Sequence, residues 1–103
     1  MAAPVFSTRI IAAHAGATVT YAVPLGFVFV VRSVTGFNAN AISSQSVQLV
    51  HLSTSCTILQ ETLGPQASGR WELRFVMTEG EQLRAIGGAD CDQTVSGYLL
   101  TAP

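Results

Sequence analysis

The stretch Val19-Thr-Tyr-Ala-Val-Pro-Leu-Gly-Phe-Val-Phe-Val-Val-Arg-Ser-Val34 decides how this chain is read. Its first part alternates Thr18, Thr20 and Ala22 with larger Val19, Tyr21 and Val23, the period of a strand with one covered and one wetter face. Pro24, Leu25 and Gly26 then predict the tight turn of a hairpin. Pro and Leu suit its first two positions, and Gly26 supplies either the positive φ of a type II turn or the residue after a type I turn. The run after the turn differs, because Phe27, Phe29 and Val31 fall on one side and Val28, Val30 and Val34 on the other, interrupted there by Arg32. A strand that is apolar on both faces needs two covers. One is the domain's own core, and the other is a second sheet, a loop or another subunit. Val28, Val30, Arg32 and Val34 are therefore the candidate subunit-contact face.

Outward from that stretch the same period-two pattern recurs, broken by Gly, Pro, Asn and Ser clusters. It predicts eight strands, near Val5–Ala12, Ala17–Val23, Phe27–Phe37, Ser46–Leu52, Cys56–Thr62, Arg70–Met77, Gln82–Ile86 and Thr94–Thr101. Trp71, Leu73, Phe75 and Met77 alternate with Glu72, Arg74 and Val76, giving another strand with one core face. No sustained helical stripe is present, and Asn38 to Ser44 is the one place for a short helical turn. Short strands about a dozen residues apart, without helical crossovers, predict an all-β, two-sheet antiparallel sandwich, jelly-roll-like, rather than a parallel α/β fold. An immunoglobulin-like topology is the alternative. A chain of 103 residues fits a single domain, 1–103, with a modest core.

Composition narrows the function classes. Hydrophobic residues make up 49%, but charged residues only 11%, against an ordinary share of about 25%. An exterior of Ser, Thr, Gln, Gly and Ala in place of mixed charges suits packing into an assembly. All cations are arginine, and a formal charge of −1 with no basic run argues against nucleic acid as a partner. The apolar run Leu25 to Val31 falls far short of the ~20 residues of a membrane span, and the start does not read as a secretory signal. A soluble protein made in the cytoplasm is expected.

Residues that carry chemistry are few. Cys56 and Cys91 offer either a disulfide between strand ends or two packed thiols, and a reducing cytoplasm favours the thiols. His14, His51, Cys56, Cys91, Asp90 and Asp92 lack zinc-ligand or calcium-loop spacing, so Asp90 and Asp92 read as a solvated turn and no metal or other cofactor is expected. There is no Gly-x-Ser-x-Gly elbow, and Glu79 and Glu81 around Gly80 read as turn solvation rather than an acid/base pair. The chain is read as not an enzyme. Trp71, Tyr21, Tyr98 and Phe37 raise a sugar-stacking platform, with core packing as the plainer reading of Trp71.

Gly16-Ala-Thr-Val-Thr-Tyr-Ala-Val-Pro-Leu-Gly-Phe-Val-Phe-Val-Val-Arg-Ser-Val34, with Gly80-Glu-Gln-Leu-Arg84 and Ser96-Gly-Tyr-Leu-Leu100, resembles small jelly-roll virion proteins of tailed bacteriophages, especially those of GC-rich actinobacterial hosts. The resemblance spans most of the chain. It implies a non-enzymatic structural protein of a phage particle, a capsid decoration or minor tail protein, made in the host cytoplasm and located in the virion. Its partners would be itself, as a trimer or ring, and other capsid or tail proteins. The alternative is a carbohydrate- or receptor-binding module on the particle surface. The resemblance supplies no functional residues to carry over.

Overall fold

The computed structural model describes residues 5–101. It contains eight strands: β1 (Val5–Ala13), β2 (Val19–Ala22), β3 (Phe27–Asn38), β4 (Gln45–His51), β5 (Cys56–Leu63), β6 (Ser68–Met77), β7 (Gln82–Gly87) and β8 (Cys91–Thr101). No helix forms among the described residues. The Asn38 to Ser44 stretch is a loop instead, because the Asn40 side-chain oxygen accepts the backbone N–H groups of Ile42 and Ser43 at 2.8 and 2.7 Å. Such side-chain turns compete with the helical hydrogen-bond ladder.

The strands form two four-stranded sheets in the orders β1-β8-β3-β6 and β2-β7-β4-β5. Every pairing is antiparallel. The first strand pairs the last, the second the seventh, the third the sixth and the fourth the fifth, as if one long hairpin had been rolled into a double sheet. This is the jelly roll anticipated from the strand pattern. One expectation changes with it. The Pro24–Gly26 turn is no hairpin, since β2 and β3 lie in opposite sheets. Gly26 has φ 83° and Phe27 N–H bonds the Pro24 carbonyl at 3.2 Å, a type II turn that carries the chain from one layer to the other.

The core lies between the layers. Ile11, Val23, Phe29, Val31, Val34, Leu49, Met77, Leu83, Ala85 and Val95 are buried, with Trp71, Leu73 and Phe75 of edge strand β6 packed half-buried against them. Tyr21 meets Phe29 edge-on at 6.0 Å between ring centroids.

A line of bulges crosses the β1-β8-β3-β6 sheet. Between Val31↔Gly97 and Ser33↔Ser96, β3 carries one more residue than β8; β1 does the same around Ile10, and β6 gains a further residue over β3 between Phe75 and Glu72. Bulges of this kind bend and twist a sheet. The bulge places Arg32 and Ser33 in succession on the outer side, which reverses the parity of the rest of β3. Val34 therefore turns into the core, fully buried, and the contact face read from strict alternation loses it. Val28, Val30 and Arg32 stay outside. Gly97 sits at the same level, where an added Cβ would run into the carbonyl oxygen of Val30.

Candidate interaction surface

The outer face of the β1-β8-β3-β6 sheet holds the residues singled out in the sequence. Val30 stands directly opposite Val76 on β6 and Tyr98 on β8, and Val28 stands opposite Leu100. These five side chains form one apolar patch across three strands. Val76 is 59% and Tyr98 38% exposed. The Arg32 guanidinium lies over the Tyr98 ring, 5.7 Å from its centroid, a cation–π contact at the border of the patch. Sequence reasoning found Val28, Val30 and Arg32 but missed Val76, Tyr98 and Leu100. The wetter phase of β6 had already grouped Val76 with Glu72 and Arg74, and only the register joins it to Val30.

Beyond the bulge the same face is polar. Ser33 and Ser96 share a hydrogen bond at 2.9 Å. Next come Arg70, Thr35 and Thr94 in one cross-strand row and Ser68, Phe37 and Asp92 in the following one. These residues surround an open depression of about 510 Å³. A second one of about 280 Å³, lined by Arg32, Ser33, Arg70, Glu72, Ser96 and Tyr98, adjoins it.

Other candidates are placed elsewhere. Cys56 is exposed and Cys91 buried, and both are free thiols. Cys56 pairs with His51 at one end of β4, while Cys91 lies beside Gln45 at the other. Six residues of strand, roughly 20 Å, separate those ends, far beyond disulfide reach, so the candidate bridge is ruled out. Burial pushes the Cys91 thiol up, and the carboxylates of Asp90 and Asp92 add to that. No group of three or more His, Cys, Asp or Glu among the described residues is placed to hold a metal ion. Trp71 faces inward, its ring against the positions of Gly36 and Gly69, and so offers no stacking surface.

The acidic loop residues are fasteners rather than solvated turns. Asp92 Oδ1 accepts Ala15 N–H at 2.9 Å and lies 2.7 Å from His14 Nδ1. Asp90 Oδ2 accepts the amides of Asn40 and Gln45 at 2.9 and 3.1 Å. Fully buried Asn38 donates to the carbonyls of Ser43, Leu63 and Gly64, so one amide group ties together the connections after β3 and β5 at this end of the sandwich. At the opposite end Glu79 accepts Gly26 N–H at 2.7 Å, and Glu81 accepts Thr78 N–H and its hydroxyl, each at 2.7 Å. Glu81 Oε2 also lies 2.6 Å from Nε2 of buried His51, whose ring meets Phe75 edge-on. The Thr78 backbone N–H, then its hydroxyl, then His51 hold the Glu81 carboxyl below its usual range. Apart from the local Thr78–Glu81 and Asn38–Ser43 bonds, these contacts span distant parts of the chain, which local spacing cannot register.

No family model matches the sequence, and no curated protein compared with it matches either. Solved structures do match in fold. The Drosophila NLP-core, whose crystal structure concerns pentamer formation and histone binding, superposes with a TM-score of 0.58 over 92% of this chain and 96% of that one, at 13% identity. The coat protein of Tobacco streak virus gives 0.52 over 98% and 87% of the two chains at 6% identity. Bacillus endospore appendages, which form disulfide-linked pili, give 0.50 over 98% and 91% at 11%. The chain shares its fold with them. At these identities the likeness is one of fold alone.

Proposed function

We propose that this chain is a non-enzymatic structural subunit that associates with copies of itself through the outer face of the β1-β8-β3-β6 sheet. The observation that carries this reading is the patch of Val28, Val30, Val76, Tyr98 and Leu100, contiguous across three strands of one outer face. Each valine fully covered by a neighbour contributes on the order of 1.5–3 kcal/mol. Five such side chains on one face therefore form an interface core of the usual aliphatic and aromatic kind, with Arg32 at its rim. A shortage of charge, 11% of residues, supports the same reading, because interface cores are depleted in charge.

The finer role we propose is a component of a virus particle, a capsid decoration or minor tail protein of a tailed bacteriophage, packed on other virion subunits. Support comes from the resemblance carried by the Gly16–Val34, Gly80–Arg84 and Ser96–Leu100 segments. It comes also from the fold shared with a viral coat protein, with a pilus subunit and with a protein discussed in terms of pentamer formation. Multi-angle light scattering of the purified chain at micromolar concentration tests the association. A single closed oligomer, trimer or ring, is the expected result. A stable monomer would sink the reading.

A further inference from the structure

We infer that the polar half of this same sheet face is a binding site for a pyranose sugar, seated on the Phe37 ring between Arg70 and Asp92. The inference stands apart from self-association, which uses the apolar half on the other side of the bulge line.

The depression of about 510 Å³ falls in the size range of small-ligand sites, roughly 300–1,000 Å³. Its lining is mixed in an informative way. Thr35, Thr94 and Ser68 present hydroxyl groups, Arg70 a cation and Asp92 an anion, and the aromatic ring among them is Phe37. Phe37 is 40% exposed and stands directly between Ser68 and Asp92 across the strands. It thus lies outside the apolar patch, with polar cross-strand neighbours on both sides. A purely apolar ligand would desolvate the hydroxyls and the Arg70 guanidinium without offering them partners, at a cost of about 1–3 kcal/mol for each unsatisfied group. A small inorganic ion would have no use for the ring. A pyranose meets both demands. Its C–H face suits the negative face of an aromatic ring, and its equatorial hydroxyls both donate and accept.

The charged groups are arranged for that double role. Asp92 Oδ1 is held by Ala15 N–H at 2.9 Å and lies 2.7 Å from His14 Nδ1, which fixes an acceptor carboxylate at the wall of the depression. Arg70 is well exposed, its nearest carboxylate being Glu72 at 3.9 Å, so its N–H groups are free to donate to the opposite side of the ring. Thr35 and Thr94 flank each other on adjacent strands and complete the hydroxyl-bearing floor. The scaffold under them is rigid, as a sugar site on a sheet requires. Gly36 and Gly69 lie paired across β3 and β6 with the Trp71 ring pressed against them from the core side.

The experiment is a titration of the isotope-labelled full chain with glucose, galactose, rhamnose, N-acetylglucosamine and glucuronate at millimolar concentration, read by amide chemical shifts. Saturable shifts centred on Thr35, Phe37, Asp92 and Thr94 with at least one of these sugars are expected. Phe37→Ala should weaken that sugar about tenfold or more, while Phe37→Tyr, which keeps the ring, should retain it. Circular dichroism and oligomer size of both variants separate loss of the site from loss of the fold. Absence of saturable shifts with every sugar, or binding that survives in a folded Phe37→Ala variant, overturns the proposal.

Discussion

The two outer faces of the sandwich differ in strand length, 9–12 residues in the β1-β8-β3-β6 sheet against 4–8 in the other, and in chemistry. On the β2-β7-β4-β5 sheet the outward residues satisfy one another. Thr20, Arg84, Val50 and Thr57 stand in one row and Ile86, Gln48 and Gln60 in the next, with Arg84 donating to Thr20 at 3.2 Å and Gln48 to Thr57 at 3.3 Å. Across the molecule the corresponding rows are Val76, Val30 and Tyr98, then Val28 and Leu100. One face is largely finished, with mostly polar side chains of which some bond across the strands. The other carries a contiguous apolar patch, and that difference is the ground for the contact side proposed above.

The sharpest way to break that difference is Gly97→Ala. The new methyl group would meet the Val30 carbonyl at the bulge line, backbone against backbone, where a side chain cannot swing away. We expect a loss of about 3 kcal/mol or more, read as a lower urea midpoint, together with disruption of the apolar face that depends on this curvature. An unchanged midpoint would mean that the bulge line does not set the shape of this sheet.

A milder intervention compares the faces directly. Val30→Asp places a carboxylate in the centre of the patch, while Thr20→Asp places one on the finished face. In a folded protein the first should dissociate the oligomer, by about 2 kcal/mol per contact or more, and the second should leave its size unchanged. Equal effects on oligomer size would erase the functional distinction between the faces.

The smallest expected effect concerns the end of the sandwich where both sheets meet at Glu81. Its carboxyl is held below the usual range by Thr78 and then His51. The stabilisation is complete above the unfolded value near pH 4.3 and is lost as pH falls through the lower folded value. The urea midpoint of the natural protein should therefore fall more steeply between about pH 5 and pH 3 than that of Glu81→Gln. Parallel acid profiles would show that the Thr78 contacts do not persist in solution.

How far these faces could be read from the sequence follows from the range of each signal. Strand placement rests on alternation over a few residues, so the eight strands were legible nearly to their ends, as at Phe27–Asn38 and Gln82–Gly87. Arg32 was legible as an interruption of an apolar face, but not as the bulge that carries Val34 into the core. Parity after a bulge is set by the neighbouring strands and not by the strand itself. The pairing of Val76 and Tyr98 with Val30, the fastening of Asp90 by Asn40 and Gln45, and the passage of Pro24–Gly26 between sheets all depend on register between distant segments. The separation of Cys56 from Cys91 needed the same long-range information.

The rolled-hairpin order also has a consequence for how the chain acquires its structure. Residue 5 lies opposite residue 100, and β8 fills the place between β1 and β3. During synthesis β3, the strand with apolar residues on both sides, has its partner β6 but not β8 until residues 91–101 have emerged. Pairing across such a sequence separation is intrinsically slow and leaves edges open in the meantime. Strand β8 thus acts as a latch, and folding of the β1-β8-β3-β6 sheet should finish only after β8 has emerged from the ribosome. Removing the final strand should leave the whole nascent sandwich unclosed, rather than merely shorten it.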